Sequence, residues 1–279
     1  MRAILLALVY GLTVTNADAA LRGVARGSDR AERLRGQKPG GTAYDQAVAE
    51  MVPAPTAFWP LYEVVGSATV ADYTGAYQGD VQLGAVLGEA SLCPDGAGTS
   101  LDVDAATVAD LERINVPDNA ALEIGGTWTV QFYFHAGTCG TASAIYDKDT
   151  CGAGGRFIIY SVCGAGPDCV MHVFGNGSGN QDRAFTTTND VQDGLYMVTS
   201  NGSGTLQLYV NGVLHDDDTV GWAAPAANTA AVSIGHRGLA GCSEPGCADE
   251  RIQGVAVWIG TVLTAADALR MYNAGASAP

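Results

Sequence analysis

The stretch TWTVQFYF, Thr127 to Phe134, decides the fold. Trp128, Val130, Phe132 and Phe134 fall on one side of an extended chain, with Thr129, Gln131 and Tyr133 on the other; a period of two is that of a strand. Downstream, LYVNGVLHD (Leu208–Asp216) places Asn211-Gly212 between two apolar runs. That pair suits the left-handed dihedrals of a two-residue type I′ hairpin turn. RFIIYSV (Arg156–Val162), CVMHVF (Cys169–Phe174), GLYMVTS (Gly194–Ser200), AVSIG and RIQGVAVWIG read as further short strands. Helical periodicity occurs only at the two ends. In TAYDQAVAEMVPA, Thr42 caps a stripe of Tyr44, Val48 and Met51 that Pro53 closes; in TAADALRMYNAG, Thr264 caps, Asp267 lies in the first turn, Leu269 and Tyr272 face inward and Gly275 ends the helix. The expected class is all-β, a sandwich or barrel with short flanking helices.

Composition agrees. Of 279 residues, 37 are glycine and 10 proline, which favours many turns; 47% are hydrophobic and 15% charged, which excludes a disordered chain. The net charge of −15 excludes a nucleic-acid partner, since phosphate affinity comes from Lys and Arg. No apolar run reaches the ~20 residues of a membrane helix. The charge is unevenly spread: residues 1–38 hold seven of the fourteen basic residues against three acids, a net of +4, and the remainder carries −19. Within residues 1–19, Arg2, the apolar run Ala3–Val14 and Ala17-Asp18-Ala19 have the form of a secretory signal with a cut before Ala20, the alternative being an N-terminal anchor or docking arm. Residues 20–41 form a basic arm or linker, with Arg22, Arg26, Arg30, Arg33, Arg35 and Lys38, and the folded body is expected over 42–279.

Six of the seven cysteines fall into local pairs: Cys139 and Cys151, Cys163 and Cys169, Cys242 and Cys247. Each pair encloses glycine-rich sequence, and with a secretory leader this predicts three local disulfides; for the rival, a zinc knuckle, the last two gaps are x₅ and x₄ and none of the four histidines stands near a pair in the required pattern. Cys93, left over, is expected to be a buried or partly exposed free thiol rather than a nucleophile, because no sequence-local base accompanies it.

In order along the chain, TAYDQAV, APTAFWPLYE, VADYTG, VPDNAALEIGGTWTVQFYF, DGLYMVTSNGSGTLQLYVNGVLHD and RIQGVAVWIGTVLTAADALRMYNAG resemble the successive signatures of the laminin-G-like, concanavalin A-like lectin/glucanase superfamily. The resemblance implies a two-sheet antiparallel jelly roll whose concave sheet or rim loops take glycans, proteins or calcium. It implies catalysis only where one strand carries an E-x-D-x-x-E or E-x-D-x-E set. Here the eight glutamates include no two spaced four or five apart, so no enzyme is expected.

For calcium, Asp72 in ADYTG matches a family loop, with an Asx turn as the alternative. The acids expected in the penultimate strand are replaced by Gln253 and Gly254, leaving Asp249 and Glu250 as substitutes. Asp216, Asp217 and Asp218 read as a solvated loop or a cation-binding rim, and Trp222 in VGWAAP as a loop residue able to stack on a sugar ring. Asn176 and Asn201 begin N-G-S sequons that are either glycan acceptors or turn residues. Two functions follow: a non-enzymatic, secreted or cell-surface binding and adhesion module for glycans or surface proteins, and a structural or accessory subunit of a larger assembly docked through residues 20–41. A polysaccharide hydrolase ranks behind both.

Overall fold

The computed structural model describes residues 42–276 apart from 83, 95, 97, 104–111, 136–141, 149–156, 164–168, 177–179, 187–192, 219–224, 226 and 236–249. Between 142 and 186 it describes the strand backbones with the side chains of 144–148, 157, 159, 171 and 173. The first described element is helix α1 (Ala43–Ala49). Six strands follow: β1 (Ala57–Trp59), β2 (Thr69–Val70), β3 (Gly79–Gln82), β4 (Val86–Ala90), β5 (Thr99–Val103) and β6 (Arg113–Val116). After a 3-10 turn (Ala120–Leu122) come β7 (Thr127–His135), β8 (Ala142–Lys148), β9 (Phe157–Cys163), β10 (Cys169–Asn176) and β11 (Asn180–Thr186). The last strands are β12 (Asp193–Asn201), β13 (Leu206–Val210), β14 (Val213–Asp218), β15 (Val232–Ile234) and β16 (Glu250–Ile259), before helix α2 (Ala265–Ala276).

Among the described residues all strand pairs are antiparallel and form two sheets of eight. The first runs β14-β13-β12-β7-β16-β5-β4, with β1 also on β16; the second runs β11-β10-β9-β8-β15-β6-β3-β2. The expected two-sheet sandwich is the structure. Trp128, Val130, Phe132 and Phe134 enter the core between the sheets, joined by Trp59, Ile114, Ile159, Val198, Leu208 and Val257. Asn211 and Gly212 have φ of 51° and 80°, as a type I′ turn requires.

The opposite face of the first sheet is buried as well. Tyr133, Met197, Tyr209 and Trp258 meet Tyr44, Val48 and Met51 of the α1 segment and Ala268 and Met271 of α2. The α1 stripe is therefore as the sequence reads, and Thr42 and Asp45 close a reciprocal capping box. On α2 Tyr272 packs half-buried against this cluster as read, but Leu269 is 45% exposed, and Ala268, Met271 and Gly275 are the buried residues. Gly275 does not terminate the helix either. It lies inside the last turn, where a Cβ would collide with the Tyr133 hydroxyl, so close approach to the sheet selects the small residues.

Glu63 lies beside this frame. Its Oε1 accepts from Ala71 N–H at 2.8 Å, and its Oε2 is buried without a hydrogen-bond partner among the described residues. Desolvation raises its pKa, so the folded state favours the protonated form. With the folded pKa above the unfolded one, the group's stabilising contribution is complete below the unfolded value, about 4.3, and is lost as pH rises through the folded value. Glu63→Gln is thus expected to melt higher than the parent at pH 7. The gap should close as thermal scans are taken down to about pH 4, below the ordinary glutamate value.

Candidate functional site

Asp72, the first metal candidate, is 6% exposed and already saturated with donors. Its Oδ1 accepts from Phe58 N–H at 2.8 Å and Thr74 N–H at 3.1 Å. Its Oδ2 accepts from Ala76 N–H at 3.0 Å, Tyr77 N–H at 3.1 Å and the Thr74 hydroxyl. Five donors around one carboxylate make it the anchor of the 72–77 loop, the Asx-turn alternative of the sequence reading. Glu250 is wholly buried at the start of β16, and Asp249 lies outside the described residues. Among the described residues no group of three His, Cys, Asp or Glu side chains is placed to hold a metal.

At the positions where acids were expected, Gln253 Oε1 accepts from Leu92 N–H at 2.5 Å, the Ser91 hydroxyl at 3.2 Å and Cys93 N–H at 3.3 Å, while its Nε2 donates to Cys93 Sγ at 3.3 Å. The amide thus ties the 91–93 loop to β16. Cys93 is a buried free thiol, the first of the two forms expected of it.

Asp216, Asp217 and Asp218 are a strand, not a loop: they close β14, the edge of the first sheet, opposite Leu208, Gln207 and Leu206. Pairing across the hairpin overrides their weak strand propensity, and three charges on an edge discourage pairing with another chain. Trp222, Cys139, Cys151, Cys242 and Cys247 lie outside the described residues. Cys163 and Cys169 are direct register partners across β9 and β10, which sets their Cα atoms about 4.5–5.5 Å apart, within the span of a disulfide. Asn176 pairs with Asn180 at the end of the β10–β11 hairpin. Asn201 is exposed, and its Oδ1 accepts from Ser203 and Thr205 N–H at 2.9 and 3.0 Å, so it organises the turn it sits in.

Strand register assembles a cluster that no local pattern announces. Asp193 on β12 faces His135 on β7, His135 faces Arg251 on β16, and Arg251 faces Asp102 on β5. Register partners share a face, so acid, imidazole, guanidinium and acid stand in one row across four strands, spanning about 14 Å at the usual strand spacing. Two residues further along the strands, Leu195, Tyr133 and Gln253 lie beneath the helices or the 91–93 loop; the row is the next step outward, at the rim. His135 Nδ1 is in close contact with Asp193 Oδ1, with side-chain exposures of 27% and 67%, and Arg251 Nη1 donates to Ala90 O at 3.3 Å. Such a row offers carboxylate acceptors at its ends and the imidazole and guanidinium between them to vicinal hydroxyls or to polar side chains. Its two carboxylates stand at its ends, farther apart than the 5–9.5 Å of glycosidase pairs.

No curated protein matches the sequence. Among solved structures, the binding domain of Paraclostridial Mosquitocidal Protein 1 superposes with a TM-score of 0.56 at 12% identity, over 78% of this chain and 51% of that one. The ligand-binding domain of botulinum neurotoxin serotype D, solved in complex with N-acetylneuraminic acid, superposes at 0.57 and 13% identity, over 81% of this chain and 52% of that one. The binding domain of botulinum neurotoxin DC in complex with rat synaptotagmin II gives 0.56 and 13%, with the same 81% and 52% coverage. The chain spans about half the length of each, and these similarities concern the fold: a jelly roll whose neighbours are binding domains rather than enzymes. The family model for the concanavalin A-like lectin/glucanases superfamily matches residues 111–267, more than half of the chain, and to that superfamily this protein belongs.

Proposed function

We propose that this chain is a non-enzymatic binding module that recognises a glycan or a surface protein outside the cell through the sandwich rim holding Asp102, Arg251, His135 and Asp193. The row itself carries the reading. It is polar, exposed at Asp193 and partly exposed at Asp102, His135 and Arg251, and built from four strands, whereas the face of the first sheet beyond it is filled by α1 and α2. Two structural neighbours are complexes with N-acetylneuraminic acid and with rat synaptotagmin II, which supports both partner classes. A secreted location rests on the leader in residues 1–19 and on the local cysteine pairs, of which Cys163 and Cys169 already oppose each other. Calcium would have to bind elsewhere than Asp72, whose oxygens are occupied by donors.

Glycan and surface-protein arrays with the full chain test this reading, followed by Asp193→Asn and Arg251→Gln on whatever is captured. Each substitution is expected to weaken binding by about tenfold, the loss of one charge-assisted hydrogen bond. The melting temperature should barely move, because exposed ion pairs contribute only about 0–1 kcal/mol. Capture that both variants leave intact would move the site away from this rim.

A further inference from the structure

Lys148, the last residue of β8, is a fully buried cation: its side chain is 1% exposed. Its Nζ donates to Asp118 Oδ1 at 2.7 Å and Ala230 O at 2.7 Å, and lies 3.1 Å from Glu123 Oε1. The Glu123 carboxylate is fixed from the other side by Asn228 N–H at 3.1 Å, and Asn228 Nδ2 donates to the Lys148 carbonyl at 3.1 Å. Neither acid is as buried as the lysine; Asp118 is 35% and Glu123 21% exposed. An amine, a carboxyl group in contact with it and a second carboxylate touching the same nitrogen are the components of an amide condensation.

We propose that Lys148 and Asp118 join in an intramolecular isopeptide bond, with Glu123 as the proton carrier. Glu123 Oε1 takes one proton from the ammonium, and the freed Nζ lone pair attacks Asp118 Cγ. The Cγ–O bond then breaks, and that oxygen leaves as water with the proton held by Glu123 and a second one from Nζ. One ammonium and one carboxylate become one amide and one water; nothing is oxidised or reduced and no co-reactant is needed. Burial favours the product, because a desolvated ion pair gives way to a neutral group and its charges no longer have to be kept from water. The partly exposed side of Asp118 gives the water its exit, and Ala230 O stays in reach of the remaining N–H. The bond would tie the segment between β6 and the 3-10 turn to the end of β8.

Mass spectrometry of the reduced full-length protein and of its peptides decides the matter. The protein is expected to be one water lighter than its sequence. Trypsin should fail to cut after Lys148, and cleavage after Glu123 should leave 114–123 covalently attached to 124–156. In Glu123→Gln, which keeps an oxygen for Asn228 N–H, the missing water and the cut after Lys148 should both return. A wild-type mass equal to the sequence, with normal cleavage after Lys148, makes the triad an ion cluster and overturns the proposal.

Discussion

Gly254→Asp is expected to cost about 4 kcal/mol or more, a large part of the 5–15 kcal/mol that holds an ordinary domain together. The substitution supplies an acid where the superfamily pattern expects one, and three features of this chain forbid it. Gly254 has φ of +64°, a conformation that costs a side-chain-bearing residue of order 1–3 kcal/mol. A Cβ there would lie 2.6 Å from Tyr44 Cε1 and 3.0 Å from its hydroxyl oxygen. Tyr44 has no room to retreat: it is fully buried, edge-on to Tyr133 at 4.9 Å and to Phe58 at 6.2 Å, donates to Gly254 O at 2.8 Å and accepts from Gln131 Nε2. The carboxylate would finally be pressed against the buried Tyr44 ring, a further loss. Gly254→Ala carries the first two penalties without the third, and about 2–3 kcal/mol is expected for it. Urea unfolding followed by tryptophan fluorescence measures both; an aspartate variant within about 1 kcal/mol of the parent would show that Tyr44 does not close off this position.

Asp72→Ala is the second large effect, about 3 kcal/mol. Removing the carboxylate strips the acceptor from four backbone N–H groups and the Thr74 hydroxyl, and a buried donor left alone costs about 1–3 kcal/mol, less where water can enter. Because Phe58 is one of those donors and lies in β1, the damage reaches the sheet and not the loop alone. The loss is expected to be the same in millimolar calcium and in chelator. If chelator alone reproduced it in the parent protein, Asp72 would be a calcium ligand after all, and the donor account of the loop would fail.

Both predictions turn on residues whose roles the sequence shows only halfway. Asp72 was visible as one of two things, a ligand or a turn, and only the positions of the surrounding N–H groups choose between them. Gln253 and Gly254 were visible as departures from a pattern; the reason for them, a loop amide clamp and a tyrosine packed on a glycine, lies 160 and 210 residues away along the chain.

What the sequence determined by itself is whatever short-range periodicity encodes. The alternation in Thr127–Phe134 assigns Trp128 and Phe132 to the core between the sheets, the Asn211-Gly212 pair sets its hairpin, and the Tyr44, Val48, Met51 stripe marks the buried side of α1. Each of these depends on neighbours within seven residues. On α2, periodicity alone favoured Leu269; the tertiary structure turned Ala268, Met271 and Gly275 inward, because the helix must lie close against Tyr133. The same holds for the edge strand of Asp216–Asp218, which exists because β13 pairs with it. The candidate rim belongs wholly to this second kind. Asp102, His135, Asp193 and Arg251 are isolated polar residues in sequence, and strand register alone sets them side by side.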